Sequence, residues 1–315
     1  MTKKIATRDA YGATLVELGG KNPAVVVLDA DLSKSTKTYD FGQKFPSRFF
    51  NMGIAEQNLM GTAAGLAAAG KIVFASTFAV FGTGRVYDQI RNSIAYPQLN
   101  VKIGATHAGL TVGEDGASHQ MLEDIALMRC LPNMTVFVPA DSVETRAAVL
   151  AAAEMDGPVY IRMGRSEVPV LHDEASFKFV PGKAVTLREG KDAAIVACGI
   201  MVNVALEAAE TLAGQGVDVL VLDMHTIKPL DVEALVAAAR AAGAVVTAEE
   251  HSINGGLGSA VAEVLVENYP VPMRRVGVRD TFGESGKPQA LLEKYGLTAG
   301  DLVSAVQEVL QRKFK

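Results

Sequence analysis

Two histidines and an aspartate share one glycine-rich loop, Thr106-His107-Ala108-Gly109-Leu110-Thr111-Val112-Gly113-Glu114-Asp115-Gly116-Ala117-Ser118-His119-Gln120, although the whole chain has only five histidines. One loop histidine is usually just solvated. Two of them flanking an acid can hydrogen-bond a polar ligand and exchange protons near neutral pH. Metal binding is the rival chemistry, weakened because twelve residues of flexible loop separate the imidazoles and no cysteine lies nearby. A second acid, Glu56 in Asn51-Met52-Gly53-Ile54-Ala55-Glu56-Gln57-Asn58, opens a run of small and apolar residues. There it can serve as a helix N-terminal charge or as a site carboxyl. About twenty residues on, Ser76-Thr77-Phe78-Ala79-Val80-Phe81 sets two phenylalanines three apart. That spacing is common in core packing, yet these rings sit past a strand end, where open α/β sheets bind ligands. The turn Asn254-Gly255-Gly256-Leu257-Gly258 opens a helix and could suggest phosphate binding; a tight turn with close helix packing is the expected reading.

These residues need a frame, and the chain alternates short β-branched runs with alanine-rich stretches, the pattern of a parallel sheet flanked by helices. Strands are expected at Val25–Asp29, Ile72–Ala75, Val101–Ala105, Thr135–Val138 and Val159–Arg162. Helices are expected near Thr7–Leu18, Glu56–Ala69, Phe81–Ala95, Met121–Arg129 and Ser142–Glu154. The pattern lapses from Ser166 to about Gly190, where Pro169, His172, Asp173, Pro181 and Gly182 suggest a linker. A second alternation follows, with strands at Ala193–Cys198, Val217–Leu222, Ala244–Ala248 and Arg274–Val278 around helices Val202–Ala213, Val232–Ala241 and Leu257–Val266. The fold class is therefore α/β, two domains with parallel or mixed sheets, at 1–166 and 190–315, joined by a linker at 167–189.

The motifs Gly-Ile-Ala-Glu-Gln, Ser-Thr-Phe-x-x-Phe and Gly-Glu-Asp-Gly-x-x-His-Gln, in this order and spacing, resemble the pyrimidine-binding domain of transketolases over roughly residues 5–170. Residues 188–310, with Thr226-Ile227-Lys228-Pro229-Leu230-Asp231, Glu249-Glu250-His251 and Gly255-Gly256-Leu257-Gly258, look like the transketolase C-terminal domain. The resemblance implies thiamine diphosphate as cofactor. Glu56 matches the glutamate that hydrogen-bonds the cofactor's pyrimidine nitrogen, and a carboxyl doing so should be shielded from water. Phe78 and Phe81 match the aromatics packed against the pyrimidine, and Asp31 falls where the family places a cofactor-contacting acid, although a strand-end turn would explain it as well. For the sugar, the resemblance gives Asp115 a hydroxyl contact and His119 the oxygen at the reacting carbon. Arg8, Ser35, His107 and Arg165 match a phosphate cradle, a role suited to the planar guanidinium; Arg162 is the nearby rival for Arg165. Two departures stand out. An aromatic that the family often has three residues after Phe81 is Gly84 here. The family's Gly-Asp-Gly and following Asn, which hold the diphosphate and Mg2+, have no counterpart in the sequence.

The implied function is two-carbon ketol transfer from a ketose phosphate to an aldose, as one half of a split transketolase. A partner chain would carry the diphosphate and Mg2+ ligands, so this chain holds no metal of its own, and its second domain would serve mainly assembly, with self-association into a heterotetramer. A deoxyxylulose-phosphate synthase, a 2-oxoacid dehydrogenase β subunit and a non-catalytic regulatory subunit are the alternatives. His107 argues against the first and the His107–Asp115–His119 loop against the second. Bulk properties agree with a protein acting on small molecules. Among 315 residues, 30 Lys and Arg face 35 Asp and Glu with no basic block, so no nucleic-acid partner is expected. The longest apolar runs are strand-length and the N-terminus lacks a signal-like run, so no membrane partner is expected. Cys130 and Cys198 read as two reduced core thiols of a cytoplasmic protein, with no disulfide framework or metal site.

Overall fold

The structure is a computed structural model that describes residues 3–313, so the first two residues of the N-terminal segment lie outside the described residues. In chain order the strands are β1 (Lys4–Ala6), β2 (Val25–Asp29), β3 (Phe49–Asn51), β4 (Ile72–Phe78), β5 (Val101–Thr106), β6 (Thr135–Phe137) and β7 (Val159–Arg162). They continue as β8 (Glu167–Pro169), β9 (Val185–Arg188), β10 (Ala193–Ala197), β11 (Val219–Asp223), β12 (Thr226–Lys228), β13 (Val245–Ser252) and β14 (Met273–Val278). The first sheet has the order β12-β6-β7-β5-β4-β2-β3 and the second β14-β13-β10-β11-β9. Pairs within each are parallel except for the end strands β12 and β9. Central strands are buried on both faces, which is why β2 and β10 read as unbroken apolar runs rather than alternating ones.

Three helices start where a side chain accepts from one of their free N–H groups. Asp141 caps Ser142–Glu154 by accepting from the Glu144 N–H, and Asp231 caps Val232–Ala242, which ends at Gly243 in a left-handed conformation. A terminal helix, Ala299–Gln311, carries a reciprocal capping box between Thr298 and Asp301. That helix and its neighbour Pro288–Lys294 were not expected. The expected single helix Phe81–Ala95 is instead two π turns, Val80–Gly84 and Ile90–Ala95, around a short α turn at Tyr87–Gln89. Gly82 and Gly84 weaken any regular helix there.

Two further expectations need correction. Residues 167–189 are not a free linker throughout: β8 pairs antiparallel with β1, and β9 forms the edge of the second sheet. Strands this short carry too few residues to show an alternation. Cys130 is not a core thiol; it is exposed, its sulfur 3.1 Å from the Tyr87 hydroxyl, whereas Cys198 is buried. The two sheets also share their interior. Val136 and Val138 pack in one apolar cluster with Ala194, Val196, Leu222 and Ile227. The crossing strand β12 and the bond from the Val138 N–H to the His225 carbonyl, 2.7 Å, seal the junction.

Candidate active site

Glu56 is the first residue of the helix Glu56–Ala68 and is buried, with 3% of its surface exposed. The positive end of the helix favours its charge. The loop before it is fixed by Asp31 and Asn51, which exchange two 3.0 Å hydrogen bonds, while the Asn51 side chain also accepts from the Gly53 N–H. Asp31 sits in the left-handed region (φ 64°), so the expected acid is also the expected turn residue, and it acts on the loop that carries Glu56. Phe78 closes β4 and Phe81 is the second residue of the π turn after it. Their rings are near-parallel, 6.1 Å apart, and the imidazole of His119 meets Phe81 edge-on at 5.4 Å. Arg85 was not singled out in the sequence. It donates to Glu56 Oε1 at 2.9 Å and lies over Phe81 at 4.4 Å. Its spacing of four from Phe81 is the signal that could have found it, because such residues are neighbours on a helical surface.

His107 follows β5 with φ 59° and is buried, stacked on Phe78 at 3.7 Å. Its Nε2 is 3.4 Å from Arg8 Nη1 and its Nδ1 is 2.9 Å from Thr106 Oγ1. Arginine has no acceptor, so Nε2 accepts a hydrogen bond from Arg8 and Nδ1–H points to Thr106. Burial first, then Arg8 and Arg165, drives the His107 pKa down to about 3, and the ring is neutral at physiological pH. The rest of the loop is clamped by the second domain. Glu250 Oε1 accepts the Thr111 N–H at 2.6 Å, Gln120 Nε2 donates to the Glu284 carbonyl at 2.9 Å, and Ser285 Oγ donates to the Glu114 carbonyl at 2.7 Å. Gly109 has φ 83° and faces Glu250 so closely that a Cβ would lie 2.3 Å from its carboxyl carbon. The second domain therefore shapes the loop, beyond the assembly role expected of it. Asp115 is exposed at the loop's far end, and His119 is half-buried beside Ser118.

Arg8, near the start of the helix Thr7–Lys21, donates to the Ser35 carbonyl at 3.1 Å, so Ser35 takes part through its backbone. Arg165 donates to the Val112 carbonyl and lies 3.4 Å from Glu114 Oε2. Burial, and after it the opposing influences of Asp9 and Arg165, leaves Arg8 below its usual pKa. Arg8, His107 and Arg165 thus form one electropositive neighbourhood. Arg162 does not belong to it. It is buried, bound to Asp124 at 2.7 Å, and donates to the Glu250 carbonyl at 2.9 Å. The turn at Gly255–Gly258 is packing: the N–H groups of Leu257 and Gly258 donate to the buried Glu249 carboxyl group at 2.7 and 2.8 Å, so that helix end is already occupied by a side chain of the same domain.

A family model described as "Transketolase, pyrimidine binding domain" matches residues 3–170, and "Transketolase, C-terminal domain" matches 182–302. The chain is 50% identical over 310 residues to a putative transketolase C-terminal section of Methanocaldococcus jannaschii, covering 97% of this chain and 96% of the relative. It is also 50% identical over 306 residues to the 6-deoxy-6-sulfo-D-fructose transketolase subunit SqwH of a Clostridium species, covering 97% and 95%. A solved structure described as "Split gene transketolase, inactive beta4 tetramer" superposes with a TM-score of 0.93 at 65% identity, covering 98% of this chain and 100% of that one. The chain belongs to the transketolase family, whose pyrimidine-binding and C-terminal domains it carries.

Proposed function

We propose that this chain is the C-terminal half of a split transketolase, transferring a two-carbon ketol unit from a ketose phosphate to an aldose once a partner chain completes the cofactor site. The carrying observation is the buried Glu56, joined through Arg85 to the Phe81 ring that pairs with Phe78. An acid next to two aromatic faces fits an aminopyrimidine ring, which needs a partner for its ring nitrogen and apolar cover for its faces. A Cβ on Gly84 would meet nothing nearer than Met121 Cε at 4.0 Å, so the place of the family's third aromatic is open. The chain supplies no set for a diphosphate and its Mg2+, and those ligands are assigned to the partner. The names of the Clostridium subunit and of the inactive tetramer favour the same division of labour. A cytoplasmic setting and sugar-phosphate substrates accompany this reading.

Thiamine diphosphate, when bound, supplies the centre that holds the negative charge of the two-carbon unit. The chain's own residues do the rest. Glu56 would share a proton with the pyrimidine nitrogen, its Oε1 already accepting from Arg85. Neutral His107 cannot repel the cationic Arg8 and Arg165, which bind the sugar's phosphate end. His119 and Asp115 contact sugar oxygens from the clamped loop. The purified chain alone should show no ketol transfer and weak cofactor affinity, and adding the partner chain should restore both. Turnover by the chain alone, with no copurifying protein, would overturn the reading.

A further inference from the structure

Four buried polar atoms at the junction of the two domains have no hydrogen-bond partner among the described residues: Glu144 Oε1, His172 Nε2 and both carboxylate oxygens of Asp223. Each residue comes from a different part of the fold. Glu144 lies in the first turn of the helix Ser142–Glu154, His172 in the connecting segment, and Asp223 at the end of β11. One donor atom from each lies within 4.8 Å of the others. Their remaining polar atoms are committed elsewhere. Glu144 Oε2 accepts the Ala140 N–H at 2.6 Å. Asp141 Oδ2 accepts the N–H groups of Leu171 and His172 at 2.6 and 2.8 Å, and His172 Nδ1 at 3.1 Å. An acceptor bearing those bonds makes Nδ1 the donor, which directs the other nitrogen at the two carboxyls. Carboxylate–histidine pairing of this kind is what orients a histidine toward a metal ion.

Protons alone leave the group unsatisfied. Burial, and then the neighbouring carboxylates, push both Glu144 and Asp223 well above the ordinary acid range. Burial lowers His172, while Asp141 and Glu144 draw it upward past that effect. A proton shared by Glu144 and Asp223 would satisfy one oxygen of each. A second proton on His172 Nε2 would face Asp223 Oδ2 at 3.7 Å, beyond hydrogen-bond reach. That separation does suit two ligands of one ion: atoms held at about 2.0–2.2 Å with angles near 110–125° lie about 3.3–3.9 Å apart. The Glu144 donor atom lies within 4.8 Å of the other two, so a small turn of its carboxyl would bring all three residues onto one cation. His225, with Nε2 also unpartnered, and the Phe177 ring, 4.2 Å from His172, complete the dry surroundings.

We propose that Glu144, His172 and Asp223 form a binding site for a first-row divalent cation such as Mn2+ or Zn2+, which pins the second domain and the connecting segment to the first. One imidazole nitrogen with two carboxylates favours these ions over Mg2+ and Ca2+, which prefer all-oxygen sites. The test uses the full chain, tag removed and stripped with EDTA. Adding Mn2+ should quench the free-ion paramagnetic resonance signal at one ion per chain, Zn2+ should compete for the same place, and either should raise the melting temperature. Mg2+ at equal concentration should do neither. Glu144→Gln should abolish saturable binding. Asp141→Asn, which keeps a helix-capping residue but weakens the orientation of His172, should loosen binding about 10–100-fold. If Glu144→Gln does not fold, Asp223→Asn takes its place. Absence of saturable binding, or binding that survives Glu144→Gln, overturns the proposal. So does a Glu144→Gln chain that melts higher without metal while the wild type ignores every ion, since that identifies a shared proton.

Discussion

Arg85 and the two phenylalanines decide what Glu56 can do. Arg85 donates to Glu56 Oε1 at 2.9 Å, so a ring nitrogen seated against this carboxyl shares it with the guanidinium. Glu56→Gln keeps the shape and loses the proton-sharing group. Assembled with its partner, that variant should fall about 10²–10⁴-fold in ketol transfer with an unchanged melting temperature. Wild-type turnover would remove Glu56 from the chemistry. At the other end of the sugar, Arg165→Ala should raise the KM for a phosphorylated donor several-fold more than for hydroxypyruvate, because a charge-assisted contact is roughly twice as strong as a neutral one. Equal losses for both donors would give Arg165 a purely structural role. Glu56, Phe78 and His107 could be nominated from sequence because they fall in motifs with fixed spacing. Arg85 was not, because a lone arginine in a turn resembles any solvated charge. The Glu144–His172–Asp223 group was not legible either: its members lie in three separate segments, and only folding brings them within 4.8 Å.

Among the elements, the loop from Thr106 to Gln120 depends on β13 of the other domain. Burial pushes the Glu250 carboxyl up to about 7 from an ordinary 4.5, so between those values the folded chain holds a proton that the unfolded chain has released. That stabilising contribution is complete below about pH 4.5 and is lost as pH rises through about 7. The unfolding free energy of the wild type relative to Glu250→Gln should therefore decline across this window and level off above it, as denaturant melts from pH 4.5 to 8 would measure. A flat difference would mean that the carboxyl is not protonated at the loop. β2, β7 and the helix Ser142–Glu154 could be bounded from sequence to the residue, since burial leaves continuous apolar runs in the strands, whereas β4 and β13 run on past their apolar stretches through Ser76–Phe78 and Glu249–Ser252. β8, β9 and β12 escaped because three or four residues at a sheet edge carry no period. The π turns escaped because Phe81–Ala95 has a helical composition interrupted only by Gly82 and Gly84.

For the whole molecule, the division of the cofactor between chains predicts the assembly. If the pyrimidine ring meets Glu56 while the diphosphate rests on a partner, each site lies across a subunit boundary, and closed two-fold symmetry is the commonest arrangement. Light scattering of the reconstituted enzyme should give two copies of each chain; a mass of one copy of each at saturating cofactor and Mg2+ would exclude it. Among the described residues no helix is long and apolar enough to cross a membrane. The crossing strand β12 carries a different consequence. It pairs with β6 as the seventh strand and so covers what would otherwise be the bare rim of a six-stranded sheet. A fragment ending near residue 170 would expose the edge of Thr135–Phe137 and strip Val136 and Val138 of their neighbours. Such rims recruit other chains into sheet-to-sheet aggregates. The two halves recognised by separate family models are thus poor candidates for dissection: the first keeps one sheet edge covered by wearing a strand of the second.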